Sequence, residues 1–279
     1  MTSFSGAVIL PEQQKTLLFK NRDLIGTNHR DEVFYDMDAF GIRGRNPVNG
    51  EVTGLAIGVN RHGLAVANTH VRSTDDPSYH VLTEQILMFA KDAEDGLSMT
   101  ADILKAGRKY QWGNLILADH DSILAIEIAG DQHSIEWSER KVLRTSHHIM
   151  LDTEDELRKY HTQGSSTSFE DSSRRVERGY ELLRSVNNAG DVFSLLKDHG
   201  ESPGQASICK HALAPDQYQT AMSYVIEVDH KQDTAKPKVL FHVARGTPCR
   251  SSYSAIPLIF PADEDIIRKA TDMYQSALG

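Results

Sequence analysis

"SFSGAVILPEQQKTLLFKNRD", residues 3–23, decides how the rest of the chain is read. An apolar run from Ala7 to Leu10 meets a polar turn led by Pro11. The chain then returns through Leu17, Leu18 and Phe19 and ends in the charged knot Lys20-Asn21-Arg22-Asp23. Two apolar runs around a short Pro-led turn predict a β-hairpin. Chain ends are normally exposed and frayed, yet here three hydroxyls (Thr2, Ser3, Ser5) lead straight into an apolar strand. Either they decorate an exposed strand end, or the start of the chain is held inside because something reacts there.

Working outward, "GIRGRNPVNGEVTG" reads as a connection. Two apolar runs, "GLAIGVN" (54–60) and "GLAVANTHV" (63–71), follow around the turn-like Arg61-His62. "HVLTEQILMFAKDA" and "SMTADILKAGRKY" carry apolar positions at helical spacing and predict a helical hairpin broken at Gly96. "NLILADHDSILAIEIAG" holds two apolar runs around Asp119-His120-Asp121-Ser122, a second β-hairpin that "HSIEW" continues. "TEDELRKYH", "SSRRVERGYELLRSV" and "DVFSLLKDH" are helical, with the Ser-rich "GSSTS" (164–168) a loop too short to divide domains. Strands "TAMSYVIEV" (220–228) and "KVLFHVA" (238–244) and a closing helix "DEDIIRKATDMYQSA" complete the chain.

Short turns between neighbouring strands imply largely antiparallel sheets, and helices supplied in separate blocks can cover their outer faces. The expectation is an α+β protein: a four-layer αββα sandwich of two mostly antiparallel sheets, formed as one domain over residues 1–279. Strict strand–helix alternation is missing, which disfavours a doubly wound parallel sheet.

Composition excludes several classes. A net charge of −9, with no basic run interleaved with aromatics, disfavours a nucleic-acid partner, which needs a dense Lys/Arg footprint. No apolar stretch approaches the roughly 20 residues of a membrane span, and no secretory leader pattern is visible. Two distant cysteines, Cys209 and Cys249, argue against a disulfide scaffold and for a reducing, cytoplasmic setting. The thirteen histidines fall into neither HExxH nor finger spacing, so no metal site is expected.

Four segments in order carry a resemblance: the hairpin ending "LLFKNRD"; "GVNRHGLAVAN" (58–68); "LILADHDSILAIEIAG" with "LRTSHHIML" (115–151); and "SICKH", "QTAMSYVIEV" and "LFHVARGTPCRSSY" (207–253). Together they resemble the acyl-coenzyme A:6-aminopenicillanate acyltransferase-like family, related to choloylglycine and penicillin V hydrolases in the N-terminal-nucleophile hydrolase superfamily. The resemblance implies the αββα fold and an amide hydrolase or acyltransferase whose first mature residue is both nucleophile and base. Its side chain attacks an amide or thioester carbonyl while its α-amine, titrating near pH 8, takes the proton. The implied partner is a small acyl-amide or thioester substrate. No cofactor is implied, and a homodimer is compatible with the sequence.

Relatives usually carry a cysteine nucleophile, and none precedes Cys209 here. Ser5, eighteen positions before Asp23, is the first choice and would need self-cleavage at Phe4-Ser5. Gly6 and Ala7 would then allow a substrate close approach. A binding protein without an N-terminal nucleophile is the second reading. Thr2, needing only loss of Met1, is the third. By resemblance, Asp23 holds the nucleophile's amine, with Lys20 and Arg22 keeping it ionised. Asn68, or His70 if the register slips, supplies the oxyanion hole, and Ser146-His147 stands where relatives show Asn-His. Lys20, Asn21 and His70 are assigned to substrate binding. Ser5, Asp23, Asn68 and Ser146-His147 are expected in one cleft. Arg174 and Arg175 read as surface or inter-element ties, Cys249 as part of a turn, and Cys209/His211 as a rival Cys–His pair.

Overall fold

The computed structural model describes residues 2–26, 31–45, 50–162, 168–231 and 237–279. The expected loop at 164–168 lies outside them except for Ser168, as does Met1.

The first hairpin is β1 (Thr2–Leu10) and β2 (Lys15–Ile25), turned by a 3-10 segment at Pro11–Gln13. Then come β3 (Asp31–Tyr35), β4 (Ala39–Arg45), β5 (Val52–Asn60) and β6 (Ala65–Arg72). Helices α1 (Tyr79–Phe89) and α2 (Ala93–Lys105) precede β7 (Tyr110–Ala118), β8 (Ile123–Gly130), β9 (Gln132–Ser138) and β10 (Lys141–Arg144). Next are α3 (Glu154–Thr162), α4 (Phe169–Leu183) and α5 (Ala189–Leu196). Strands β11 (Tyr218–Asp229), β12 (Lys238–Arg245) and β13 (Ser254–Leu258), then α6 (Glu264–Leu278), finish the chain.

One sheet runs β10-β1-β2-β11-β12-β13 and the other β3-β4-β5-β6-β7-β8-β9, with every pairing antiparallel. The period-2 alternation of strands sorts their side chains into layers. In β1, Ala7 and Ile9 join Ala67, Ile116 and Ile226 in the core between the sheets, whereas Phe4, Val8 and Leu10 face Leu183, Leu195 and Leu196 of α4 and α5. On the far side, α1 and α2 cover β5, β7 and β8 through Leu82, Ile86, Leu115 and Leu124. The order of layers is α/β/β/α, as the sequence predicted.

Three local readings are corrected. The break between the first two helices lies at 90–92, where Asp92 caps α2 by accepting from the Asp95 N–H at 2.8 Å. Gly96 sits inside α2, where a Cβ would stand 2.4 Å from Leu117 Cδ2, so glycine permits the close helix–sheet approach. The expected connection at 41–54 contains the end of β4 and the start of β5. Gly6 admits no substrate, because Leu143 Cδ2 and Phe19 Cζ would lie 2.3 and 2.6 Å from its Cβ.

Candidate active site

The β1–β2 register places Thr2 directly opposite Asp23 and Ser5 opposite Lys20. Because side chains alternate across a strand, Thr2 and Asp23 share the face that α4 covers, while Ser5 and Lys20 point between the sheets. Thr2 Oγ1 donates to Asp23 Oδ2 at 3.1 Å. Thr220 Oγ1 donates to the other carboxylate oxygen at 2.9 Å. A β-bulge between Thr220 and Met222 in β11 brings Thr220 to that face, since one extra residue reverses the alternation.

The cation facing this carboxylate comes from α4. Arg175 Nη1 lies 3.1 Å from Asp23 Oδ2, with both side chains fully buried, and it also reaches Ser3 O at 3.4 Å. Arg175 Nη2 donates to Ser146 Oγ at 3.5 Å. Burial pushes the guanidinium below its ordinary range, and Asp23 and Asp171 draw it back. Lys210 Nζ donates to Thr2 Oγ1 at 3.3 Å, and the Lys210 N–H donates to Thr220 Oγ1 at 2.9 Å. Burial, reinforced by Arg175, pushes the Lys210 amine down to about 7. Thr2, Asp23, Ser146, Arg175, Lys210 and Thr220 therefore form one buried cluster at one end of the first sheet. A cleft of 420 Å³ opens beside it, with Thr220, Met222, Gly246 and Thr247 in its wall.

Other expected residues are placed elsewhere. Ser5 Oγ donates to Asn68 O at 3.4 Å and makes no contact with Asp23; a separation of eighteen puts the two on opposite faces of the hairpin. Lys20 and Arg22 also point between the sheets rather than flanking Asp23. Lys20 Nζ bonds Asn68 O and, at 3.3 Å, Asn68 Oδ1, and burial pushes it down to about 7, with Arg22 adding to the effect. Arg22 pairs with Asp31 across the sheets.

Asn68 aims its amide nitrogen at Leu55 O (2.7 Å), Thr83 Oγ1 (3.0 Å) and His80 Nδ1 (3.2 Å) under α1. That is a packing role in this conformation. His70 meets Tyr79 and Ser73, and burial first, with His80 and Lys20, drives its pKa well down. Asn21 ties β2 to Leu196 O and Ile208 O, both at 2.9 Å, and accepts from Ser223 at 2.6 Å.

Ser146 joins the cluster through Arg175, but His147 turns away: its Nδ1 lies 2.8 Å from Ser172 Oγ and its ring packs on Phe169. This segment is fixed from both sides. Asn114 Nδ2 donates to Thr145 O and His147 O at 3.0 and 3.1 Å. The buried Glu127 carboxylate accepts the N–H groups of Ile149, Met150 and Leu151 and pairs with Arg144 at 2.8 Å.

Sequence reasoning missed Arg175, Lys210 and Thr220. Arg175 carried a readable signal. The buried stripe of α4 is Phe169, Ser172, Arg175, Gly179 and Leu183, and an arginine on such a stripe needs a buried anion. Cys209 and His211 do approach, at 3.7 Å. Burial and then Cys249 push the Cys209 thiol up to about 12, the opposite of the lowered pKa a nucleophilic thiolate requires.

The fold recurs in known proteins. It is similar to that of a penicillin V acylase from Agrobacterium tumefaciens (15% identity, TM-score 0.55, covering 92% of this chain and 86% of that one). It is equally similar to a mutant of the conjugated bile acid hydrolase from Clostridium perfringens (10% identity, TM-score 0.55, covering 92% of each). At these identities the likeness establishes the N-terminal-nucleophile hydrolase fold. The chain belongs to the acyl-coenzyme A:6-aminopenicillanic acid acyl-transferase family, whose model matches residues 10–235. Among curated protein sequences, none matches it.

Proposed function

We propose that this protein is an N-terminal-nucleophile amide hydrolase or acyltransferase in which Thr2 is the nucleophile, freed by cleavage of the Met1–Thr2 bond. The observation that carries the reading is the placement of Thr2 Oγ1 on Asp23, opposite it in register, inside a buried cluster with Arg175 and Lys210. Family membership supports the reaction class. The Asp23 interactions favour Thr2 over Ser5.

In this reading the Thr2 hydroxyl oxygen bonds to the substrate carbonyl carbon as the Thr2 α-amine takes its proton. That proton passes to the departing amine as the C–N bond breaks, leaving an ester on Thr2. Water, or a second amine, then attacks the ester and gives up a proton of its own, which the α-amine passes to the Thr2 oxygen as the ester C–O bond breaks. Asp23, fixed by Arg175 and Thr220, orients the nucleophile. Lys210, whose amine lies beside Thr2 Oγ1, donates to the substrate carbonyl oxygen as negative charge develops on it. The cleft beside Thr220 receives the acyl or amine portion.

The test begins with intact-mass and N-terminal sequencing of purified protein, expected to start at Thr2. Hydrolysis of penicillin V and of a conjugated bile acid, and acyl transfer from acyl-coenzyme A to 6-aminopenicillanic acid, then probe activity. Acid-quenched turnover should place the acyl mass on the N-terminal peptide. Active protein that retains Met1, or turnover undiminished in Thr2→Ala, overturns the assignment. A folded chain starting at Thr2 that turns over none of these substrates and traps no acyl group favours a binding protein.

A further inference from the structure

Outside this cluster, His199, Cys209, His211 and Cys249 bring one donor atom each to a common point, all within 4.8 Å of one another. His199 Nε2 and His211 Nε2 are 3.0 Å apart, and His211 Nε2 lies 3.7 Å from Cys209 Sγ and 3.4 Å from Cys249 Sγ. A tetrahedral zinc ion, with Zn–S about 2.3 Å and Zn–N about 2.0–2.1 Å, requires ligand separations of about 3.3 Å (N···N), 3.6 Å (S···N) and 3.8 Å (S···S). The N···N distance and the two S···N distances to His211 match these to within a few tenths of an ångström, and the remaining pairs lie within 4.8 Å. We propose that these four side chains form a Cys2His2 zinc site that staples the segment before β11 to the turn after β12.

The choice of ion follows from the donors. Two thiolates and two imidazoles in a tetrahedral arrangement suit zinc rather than the hard, oxygen-preferring cations. Four protein ligands leave no open position, so the site is structural and not hydrolytic. Binding displaces one proton from each thiol. The ligands are also held from behind. The Cys209 N–H donates to Asp198 O at 2.9 Å, and Asp198 is gripped by Arg178 of α4 at 2.9 and 3.0 Å. Gln205 Nε2 donates to His211 O at 3.0 Å, Ser207 Oγ donates to His199 O at 3.3 Å, and Cys249 sits in the 3-10 turn Pro248–Arg250. Backbone anchors of this kind orient ligands before the ion arrives. Only Cys209 is buried, so the other three leave a route for entry.

Lys210 lies between two of the ligands, and its amine reaches Thr2. The ion would therefore fix the backbone that presents Lys210 to the candidate nucleophile. The zinc site itself stands whether or not Thr2 reacts.

Metal analysis of the purified full chain, after dialysis against a weak chelator, should return one zinc per chain. His199→Ala and Cys249→Ser should each lower that to below about a tenth. Stripping with a strong chelator should lower the Tm by several degrees, and stoichiometric zinc should restore it. Adding cobalt(II) to stripped wild-type protein should give intense tetrahedral visible bands and a thiolate-to-cobalt charge-transfer band, a readout that survives even if the variants fail to fold. Two reduced thiols with no zinc and no cobalt spectrum overturn the proposal. So does a Cys209–Cys249 disulfide in freshly purified protein, and recovery of copper(I) instead overturns the choice of ion.

Discussion

Asp23→Asn isolates the centre of the candidate site without changing its shape. The wild-type carboxylate is fully buried, accepts from Thr2 and Thr220, and neutralises Arg175 at 3.1 Å. The amide oxygen can still accept from Thr220, but its NH2 group then faces both the Thr2 hydroxyl and the guanidinium, which share Asp23 Oδ2. Asp171 acts on Arg175 only from a distance, so the variant leaves a buried cation without a bonded anion. Removing one partner of a buried pair costs about 3–5 kcal/mol. At about 2–4 °C per kcal/mol for a chain near this size, that is a fall in Tm on the order of 10 °C. The matched double variant, Asp23→Asn with Arg175→Met, removes the stranded charge and should recover at least half of the loss. Paired thermal melts of the two variants, with turnover measured well below either Tm, separate folding from function. The expected pattern is a double variant that is stable yet still inactive. A Tm change under about 2 °C for Asp23→Asn refutes the electrostatic argument. Restored turnover in the double variant refutes the role of Asp23 in orienting Thr2.

Further outcomes follow from the same contacts. Ser5→Ala loses one 3.4 Å hydrogen bond to Asn68 O, so it should cost about 1 kcal/mol in denaturant melts and leave kcat/KM within about twofold, where Thr2→Ala abolishes turnover. Glu127→Gln unpairs Arg144 and slackens the Ile149–Leu151 turn; with Glu136 still holding Arg144 at 2.7 Å, the loss by denaturant melt should sit at the low end, about 3 kcal/mol. Lys20, surrounded by Arg22, Asp23 and Asp31, with His70 and His80 nearby, is depressed by burial to about 7 in the folded chain, against about 10.4 unfolded. The unfolded state then binds more protons between pH 7 and 10, so this group's contribution to stability rises with pH across that window. The advantage of Lys20→Met over wild type should be greatest at or below pH 7 and shrink by pH 9; a pH-independent difference contradicts the assignment.

The layers were legible because strand alternation and helical spacing are one-dimensional patterns. Ala7 and Phe4 announce opposite faces of β1 without any knowledge of their partners. β3 and β10 were not legible, since Asp31-Glu32 and Lys141 give short strands with charged ends. The site failed on register. A spacing of eighteen from Ser5 to Asp23 looked like a match, but pairing in this hairpin sums to 25, so residue 2 faces residue 23 and parity excludes residue 5. Thr220 was hidden by its bulge, which period-2 reasoning cannot foresee. Lys210 arrives from a segment whose path is set by long-range contacts. The same is true of the zinc donors: His199 and Cys249 lie twelve and thirty-eight positions from His211, so no finger spacing flags the four together.

What the Thr2 cluster costs is itself an argument about what it is for. Away from this end, the helix-covered side of the first sheet is largely hydrophobic, with Phe4, Val8, Leu17, Phe19 and Val225 packed on Leu183, Leu195 and Leu196, and its polar pair Asn21 and Ser223 is uncharged. At its end the same face carries Thr2, Asp23 and Thr220, met by Arg175 and Lys210. Apolar residues of matching volume would be as stable there or more so, and protonating Lys210 beside Arg175 and one carboxylate gives a net positive charge in a low-dielectric setting, which is why its amine is pushed down to about 7. Stability alone gives no reason to keep such an arrangement. A reaction that builds negative charge on a substrate carbonyl oxygen beside Thr2 does, because a protonated Lys210 is then neutralised only as the transition state forms. Lys210→Met separates the two explanations. If the amine serves the transition state, the variant should be at least as stable as wild type while kcat falls by about 10²-fold or more with KM little changed. A variant that loses stability and keeps its kcat would make Lys210 a packing residue and remove the electrostatic case for Thr2.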